Sequence, residues 1–227
     1  MRLAIAMTAY NRPKYLREVI KSLAKNKNYE DYKLFFSIEP GNYKVIKIAQ
    51  SVAFIEKEIH INPFKYGVRK NPYEMLSRVF AAGFDGVLYI EDDSKLAPDA
   101  INLTNWYFNR DDKESYLCLN LYNHDSKKEN EINTVIAGEK FSALGVGITK
   151  KQWSDYFAPA WNTHPNGWDF SITDLVRKGA KVLQPSQSRS MHIGRKGGTY
   201  YRPEAHDPQY IHNYFFSGTR VEEFILI

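Results

Sequence analysis

The sequence predicts an α/β fold, a Rossmann-like and mostly parallel sheet flanked by helices. Two observations carry this. Short apolar runs alternate with segments of helical spacing through the first half of the chain, and several of these runs stop at turn residues or polar loops. A length of 227 residues fits one domain with a substantial core. No linker, internal repeat or low-complexity tract divides it. The chain is read as a single domain over 1–227, with a regular half at 1–98 and a looser half at 99–227.

Leu3 to Met7 reads as the first strand, followed by the loop Thr8-Ala9-Tyr10-Asn11-Arg12-Pro13 and a helix carrying Tyr15, Leu16, Val19, Ile20 and Leu23. Lys33 to Ile38 is rich in aromatic and branched residues and stops at Glu39-Pro40-Gly41-Asn42, which makes it a second strand. A helix is expected over Tyr43 to Glu56, a strand over Glu58 to Ile61 and a helix over Tyr73 to Ala82. Gly86 to Ile90 is a buried strand that runs directly into Glu91-Asp92-Asp93. Beyond Pro98 come a helix through Asn105 to Phe108, a strand around Cys118, a polar surface loop over His124 to Asn130, and a helix through Ile172, Leu175 and Val176.

The apolar start is too short for a signal peptide, and no stretch reaches the roughly 18 uninterrupted apolar residues of a membrane span. A cytoplasmic protein without membrane partners is therefore expected. The single cysteine, Cys118, excludes an internal disulfide and a cysteine metal cluster, and its apolar neighbours mark it as a buried structural thiol. Thirty-one lysines and arginines against 26 acids give a net charge of +5, which favours anionic partners without naming one. The six histidines lack metal-ligand spacing and are read as ordinary. Neither a Gly-x-Ser-x-Gly elbow nor a Walker loop is present, so hydrolase and P-loop kinase chemistry have no support.

Ligands of parallel sheets bind at the carboxyl ends of strands, where this chain places three successive acids. Like charges so concentrated are stabilised by a divalent cation with oxygen ligands, which in turn suits a diphosphate leaving group. The bland alternative is an acidic turn capping the helix that Pro98 begins.

The segment Val87 to Asp99, containing Glu91-Asp92-Asp93, resembles the metal-binding segment of the N-acetylglucosaminyltransferase I family, inverting glycosyltransferases of the GT-A fold. Three further segments follow in that family's order. Ala9-Tyr10-Asn11-Arg12, with Thr8 before it, resembles the first donor loop, and Ser37-Ile38-Glu39-Pro40-Gly41 the loop whose acid reads uridine, where the family has Asp in place of Glu39. Ser188 to Gly197 is similar to the loop that closes over the donor. The resemblance implies a metal-dependent transferase (Mn2+ or Mg2+) using a nucleotide sugar, UDP-linked, to move a hexosyl or N-acetylhexosaminyl group. Residues 1–98 would form its nucleotide-sugar half and 99–227 its acceptor half.

Carried over by position, Asp93 is the metal ligand, while Glu91 and Asp92 serve the ribose and the metal's surroundings. Asn71 stands where the family has a nucleotide-contacting histidine. Arg195, Lys196 and Thr199 belong to the closing loop, Thr199 in place of a serine on phosphate, and Asp169 in Gly167-Trp168-Asp169-Phe170 matches the catalytic base. Read without the family, Asp169 is a helix cap and the glycine-rich basic loop a solvated turn. Two acceptors stay open: a hydroxymethylated base in DNA, favoured by the positive charge and by aromatics including Tyr200, Tyr201 and Tyr210, or a glycan or protein hydroxyl. A non-catalytic sugar-nucleotide or glycan-binding module is the rival from another class.

Overall fold

The computed structural model describes residues 1–195 and 213–227. Nine strands form one sheet in the order β11-β7-β9-β6-β8-β4-β1-β2-β3. Its regular half comprises β1 (Leu3–Ala9), β2 (Tyr32–Ile38), β3 (Lys57–Ile61) and β4 (Gly86–Glu91), all mutually parallel. A short β5 (Ser94–Leu96) leaves the sheet after the acid triplet. The remaining strands are β6 (Leu119–Asn120), β7 (Thr134–Gly138), β8 (Val146–Thr149), β9 (Val182–Pro185), β10 (Ser190–His192) and β11 (Ile225–Leu226). Of these, β8 runs antiparallel to β4 and to β6, and β7 antiparallel to β9. The α/β architecture with a large, mostly parallel sheet is the one the sequence predicts.

Period-two alternation gives the sheet two apolar faces. Leu3, Ile5, Met7, Leu34, Phe36, Leu88 and Ile90 pack against α1 (Pro13–Leu23), α2 (Tyr43–Ser51) and, further on, α4 (Ala100–Phe108). Ala4, Ala6, Phe35, Val87 and Tyr89 face α3 (Gly67–Ala81). That face also meets a helical stretch made of α5 (Lys150–Gln152), a π-helical turn at Trp153–Phe157 and α6 (Ala158–Ala160), and then α7 (Trp168–Arg177). Trp161 stacks on Trp168 with centroids 4.4 Å apart, fastening the loop between these elements. Cys118 is buried immediately before β6, as its apolar neighbours require.

Three element boundaries differ from the expectation. Helix α2 ends at Ser51, because Val52 turns extended and goes into the core. Helix α3 starts at Gly67, well before Tyr73, and carries Pro72 inside it. Proline in a helix interior removes one hydrogen bond, which is why the pattern reads as starting after it. Pro98 precedes α4 without entering it, and Asp99 occupies the N-cap position with no side-chain capping bond.

The Asp99 carboxylate is engaged elsewhere. It accepts from Nε of Arg189 at 3.0 and 3.1 Å and from the amide of Val221 at 3.3 Å, and both members of the ion pair are fully buried. The other guanidinium nitrogens donate to the carbonyls of Gln187 (2.7 Å) and Ile132, and the group lies 4.0 Å from the Phe216 ring centroid. Burial pushes the Asp99 pKa up and the Arg189 pKa down, and the charge of each partner offsets part of that shift in the other. Removing one partner leaves a buried charge. Asp99→Ala is expected to lower the unfolding free energy by about 3–5 kcal/mol in urea titrations, far more than loss of an exposed pair such as Lys151–Asp155.

Candidate functional site

Strand order 3-2-1-4 reverses direction of winding at β1, so a crevice opens at the carboxyl ends of β1 and β4. A cleft of about 350 Å³ lies there, lined by Thr8 to Arg12, Glu39, Lys65, Gly67, Val68, Asn71, Pro72, Tyr89 and Glu91. The first loop, the Glu39 turn and the acid triplet, separate in sequence, thus meet at one sheet edge.

Arg12 sits at the N-cap position of α1, where arginine offers no capping bond, and Pro13 starts the helix. Its side chain reaches the acids instead, with Nη2 2.5 Å from Asp92 Oδ1 and Nη1 bonded to Asp93 Oδ2. Asp92 Oδ2 also accepts from the Tyr10 amide at 3.1 Å. Tyr89 Oη bridges Thr8 Oγ1 (3.1 Å) and Glu91 Oε1 (2.9 Å), fixing the third acid at the cleft wall. Glu91 therefore lines the cleft, Asp92 and Asp93 lie buried beside it on Arg12, and the N-cap position of α4 belongs to Asp99.

Burial, with Asp93 as a nearby like charge, pushes Glu91 up to about 7. Burial likewise raises Asp92 to about 6, partly offset by Arg12. For Asp93 burial also acts upwards, but the hydrogen bond from His192 and the charge of Arg12 outweigh it and hold the carboxyl below its ordinary value.

His192 is the functional candidate that sequence reasoning missed. Its Nε2 lies 3.0 Å from Asp93 Oδ2. Strand β10 pairs antiparallel with β5, setting His192 opposite Ser94, and the Ile193 amide donates to the Asp93 carbonyl at 2.9 Å. Next comes Gly194, where a Cβ would stand 2.0 Å from Asp93 Oδ2, so only glycine lets the chain pass. The available signal was the pattern Met191-His192-Ile193-Gly194, a histidine before a glycine in the segment assigned to donor closure. Arg195 follows as an exposed residue. Lys196, Thr199, Tyr200, Tyr201 and Tyr210 lie outside the described residues.

Two buried oxygens at this point, Asp93 Oδ1 and Ser94 Oγ, have no hydrogen-bond partner. Buried polar atoms normally find one. An orphaned carboxylate oxygen beside an imidazole suits a divalent cation with oxygen and nitrogen ligands. Among the described residues no three side chains of His, Cys, Asp and Glu converge into a complete metal site. Asp93 and His192 would therefore supply two ligands, leaving the others to phosphate oxygens and water; the nitrogen ligand favours Mn2+ over Mg2+, which takes oxygen ligands. The donor set fits the expected metal.

Glu39 is buried in the cleft floor. Its Oε2 accepts from the Tyr66 amide (2.9 Å) and the Asn62 side chain (3.1 Å), and Oε1 from the Gly67 amide (2.6 Å). It thereby ties down the start of α3, where Gly67 has φ +81°. Asn71 Oδ1 accepts from Ser37 (2.6 Å) and Asn62 (3.1 Å), so it belongs to the same polar network.

Asp169 lies in the first turn of α7, with Gly167 as the N-cap residue, so it is not the cap itself. Arg69 donates to the Pro165 carbonyl (2.6 Å) and accepts at its own carbonyl from Trp161 Nε1 (2.9 Å), which ties this loop to the α3 end of the cleft. Trp168 meets Tyr89 edge to face at 5.6 Å. Burial raises the Asp169 pKa, against the pull of backbone amides, Arg69 and His164.

If Glu39 holds α3 in place, Glu39→Ala strands two backbone amides and the Asn62 side chain. The expected loss is about 1–3 kcal/mol in chemical denaturation without any ligand. An unchanged midpoint would mean that Glu39 serves only a bound molecule.

The family model described as "Glycosyltransferase like family 2" matches residues 2–140. No curated protein matches the chain significantly. Among solved structures, S. aureus TarS matches at 12% identity and TM-score 0.60, over 84% of this chain and 36% of that one. A shorter TarS structure, 1–349 in complex with UDP-GlcNAc, matches at 13% identity and TM-score 0.63, over 87% and 60%. The mannosyltransferase PcManGT of Pyrobaculum calidifontis, in complex with GDP-Man and Mn2+, matches at 10% identity and TM-score 0.61, over 88% and 58%. The chain spans from about a third to three fifths of the length of these structures. At such identities the likeness shows a shared fold, that of GT-A glycosyltransferases. With more than half of its residues matched by the family model, the chain belongs to the glycosyltransferase family 2-like group.

Proposed function

We propose that the chain is a metal-dependent, inverting glycosyltransferase that moves a hexosyl or N-acetylhexosaminyl group from a UDP-linked donor to a hydroxyl acceptor. The observation that carries this reading is the Asp93 carboxylate, held by Arg12 and His192 with one buried oxygen unpartnered, beside the cleft that Arg12 and Glu91 line. The neighbours' complexes with UDP-GlcNAc and with GDP-Man and Mn2+ support the donor class and the metal. Residue roles follow the resemblance to N-acetylglucosaminyltransferase I enzymes.

Thr8, Tyr10 and Arg12 form the near wall of the donor cleft, with Glu39 and Asn71 at its base end. A divalent ion on Asp93 and His192 would neutralise the leaving diphosphate. Glu91 and Asp92, raised by burial, are positioned to ionise fully once positive charge arrives beside them. Arg12 can then exchange acid contacts for phosphate contacts, since a guanidinium matches both. The resemblance assigns Arg195, Lys196 and Thr199 to contacts with the diphosphate. Asp169 takes the proton of the acceptor hydroxyl as its oxygen attacks the anomeric carbon. The bond to the diphosphate breaks, its electron pair leaves with the nucleotide, and an α-linked donor gives a β-linked product.

For the acceptor we assign a hydroxymethylated base in DNA, supported by the net charge of +5. A glycan or protein hydroxyl is the competing outcome of the same transfer assay. A non-catalytic binding module is disfavoured by the presence of both Asp93 and Asp169.

UDP-sugar with Mn2+ is expected to raise the melting temperature of the native chain, and Asp93→Asn and His192→Ala are expected to lose the metal-dependent part. Saturation at one hundred times Kd corresponds to about 2.7 kcal/mol. Full turnover of Asp93→Asn in chelator would reject the metal role.

The pH dependence of kcat/KM tests Asp169. A base must be deprotonated, so the rate should rise with pH through an apparent pKa above the ordinary aspartate value, because burial raises it. Asp169→Asn should abolish that limb and reduce kcat by about 10²–10⁴. Retained anomeric configuration in the product would contradict the single displacement.

A further inference from the structure

We propose that the groove between α1 and α2 binds the phosphodiester backbone of a nucleic acid. This groove, about 540 Å³ in volume, is separate from the donor cleft. Arg17 and Lys21, one turn apart on α1, form one wall, and Lys44 and Lys47 on α2 form the other. No aspartate or glutamate is among its lining residues. Lys21 has a loose exposed contact with Glu18 at 3.4 Å, while Arg17, Lys44 and Lys47 make no ion pair among the described residues. Some cations on other faces sit against acids, as Lys140 does with Asp125 and Lys33 with Glu56 and Glu58, whereas Lys127 and Lys128 on an exposed loop make no ion pair among the described residues.

The floor, which includes Ile20 and Ile48, is apolar, and Tyr43 stands exposed at the rim with the Lys47 ammonium 5.0 Å from its ring centroid. Two facing pairs of cations over an apolar floor, three of the four without an ion pair, match a strand with charged phosphates on its flanks and flat, weakly polar surfaces between them. An anionic bilayer fits less well. A helix lying in a membrane interface turns its apolar face outwards, whereas Leu16, Val19 and Leu23 of α1 and Val45 and Ala49 of α2 are buried in the core. Tyr43 is the one large apolar side chain that these two helices expose strongly.

Helix α1 begins immediately after Arg12, and α2 follows the turn containing Glu39. The groove runs along these two helices, from Tyr43 and Lys44 at the start of α2 to Ala24, Ala53 and Phe54 beyond the helix ends, away from the acid cluster. Its use as an acceptor surface rests on the acceptor assigned above, but binding itself is independent of sugar transfer.

The test is fluorescence anisotropy of labelled single-stranded and duplex DNA with the native chain and with the triple variant R17A/K44A/K47A, between about 50 and 200 mM salt. The paired substitution K127A/K128A, on an exposed loop, is the control. Phosphatidylserine vesicles provide the membrane arm. The native chain should bind DNA with a steep salt dependence. The triple variant should bind at least tenfold more weakly, and its log K against log salt slope should be shallower by about 2–3, at roughly 0.7–0.9 per phosphate contact. The control should bind as the native chain does. Melting of the triple variant and its stabilisation by UDP-sugar with Mn2+ should be unchanged, which separates this surface from the donor site. Absence of DNA binding, equal loss in the control, an unaltered slope in the triple variant, or preference for vesicles over DNA would each overturn the proposal.

Discussion

The buried pair of Asp99 and Arg189 joins the two halves of the molecule. Asp99 precedes α4, shortly after the acid triplet, while Arg189 precedes β10. The Arg189 amide donates to the Leu121 carbonyl at 2.7 Å, and its carbonyl accepts from the Ala97 amide at 2.9 Å. One residue thus connects three segments, and the register of β10 against β5 follows. That register is what sets His192 on Asp93. Ion pairs without solvent often contribute little net stability, yet they discriminate strongly among alternative arrangements, because any slip strands two charges. The geometry of the site is in this sense dictated from a position outside it.

The acid cluster presents the opposite balance. Glu91, Asp92 and Asp93 are gathered at the end of a buried strand with one guanidinium and one imidazole around them. Desolvation disfavours all three charges at once, and it raises the pKa values of Glu91 and Asp92. The fold tolerates it because β4 lies between β1 and β8 in the sheet, with Ile90 and Tyr89 anchored in opposite faces of the core. Local discomfort of this kind, maintained by a rigid scaffold, is a recurrent property of binding centres.

Much of this was legible in the sequence. Alternating apolar runs identified β1 to β4, and the acid triplet fell at a strand end because Gly86 to Ile90 is continuous apolar sequence. The limits of α2 and α3 were less legible. Val52 leaves its helix for tertiary packing, and Pro72 sits inside a helix whose start is held by Glu39, a contact across 28 positions that local propensity cannot register. The same reason hid His192, whose meaning depends on a residue 99 positions away. Glu39 was found through its motif, but three hydrogen-bond donors on its carboxylate add a structural task that the motif does not convey.

The closing of the sheet by late segments has a temporal consequence. Strands β1 to β4 form a contiguous block made before the other strands of the sheet, and domains begin to organise while elongation proceeds at about 5–20 residues per second. Strand β9 inserts between β6 and β7, β10 covers β5, and β11 pairs with β7, all from the last part of the chain. A nascent chain can therefore build the crevice while lacking the imidazole, the Gly194 crossing and the Arg189 tie. For that interval the acids stand open to solvent, and the centre is completed only when the segment carrying Arg189, His192 and Gly194 docks against them.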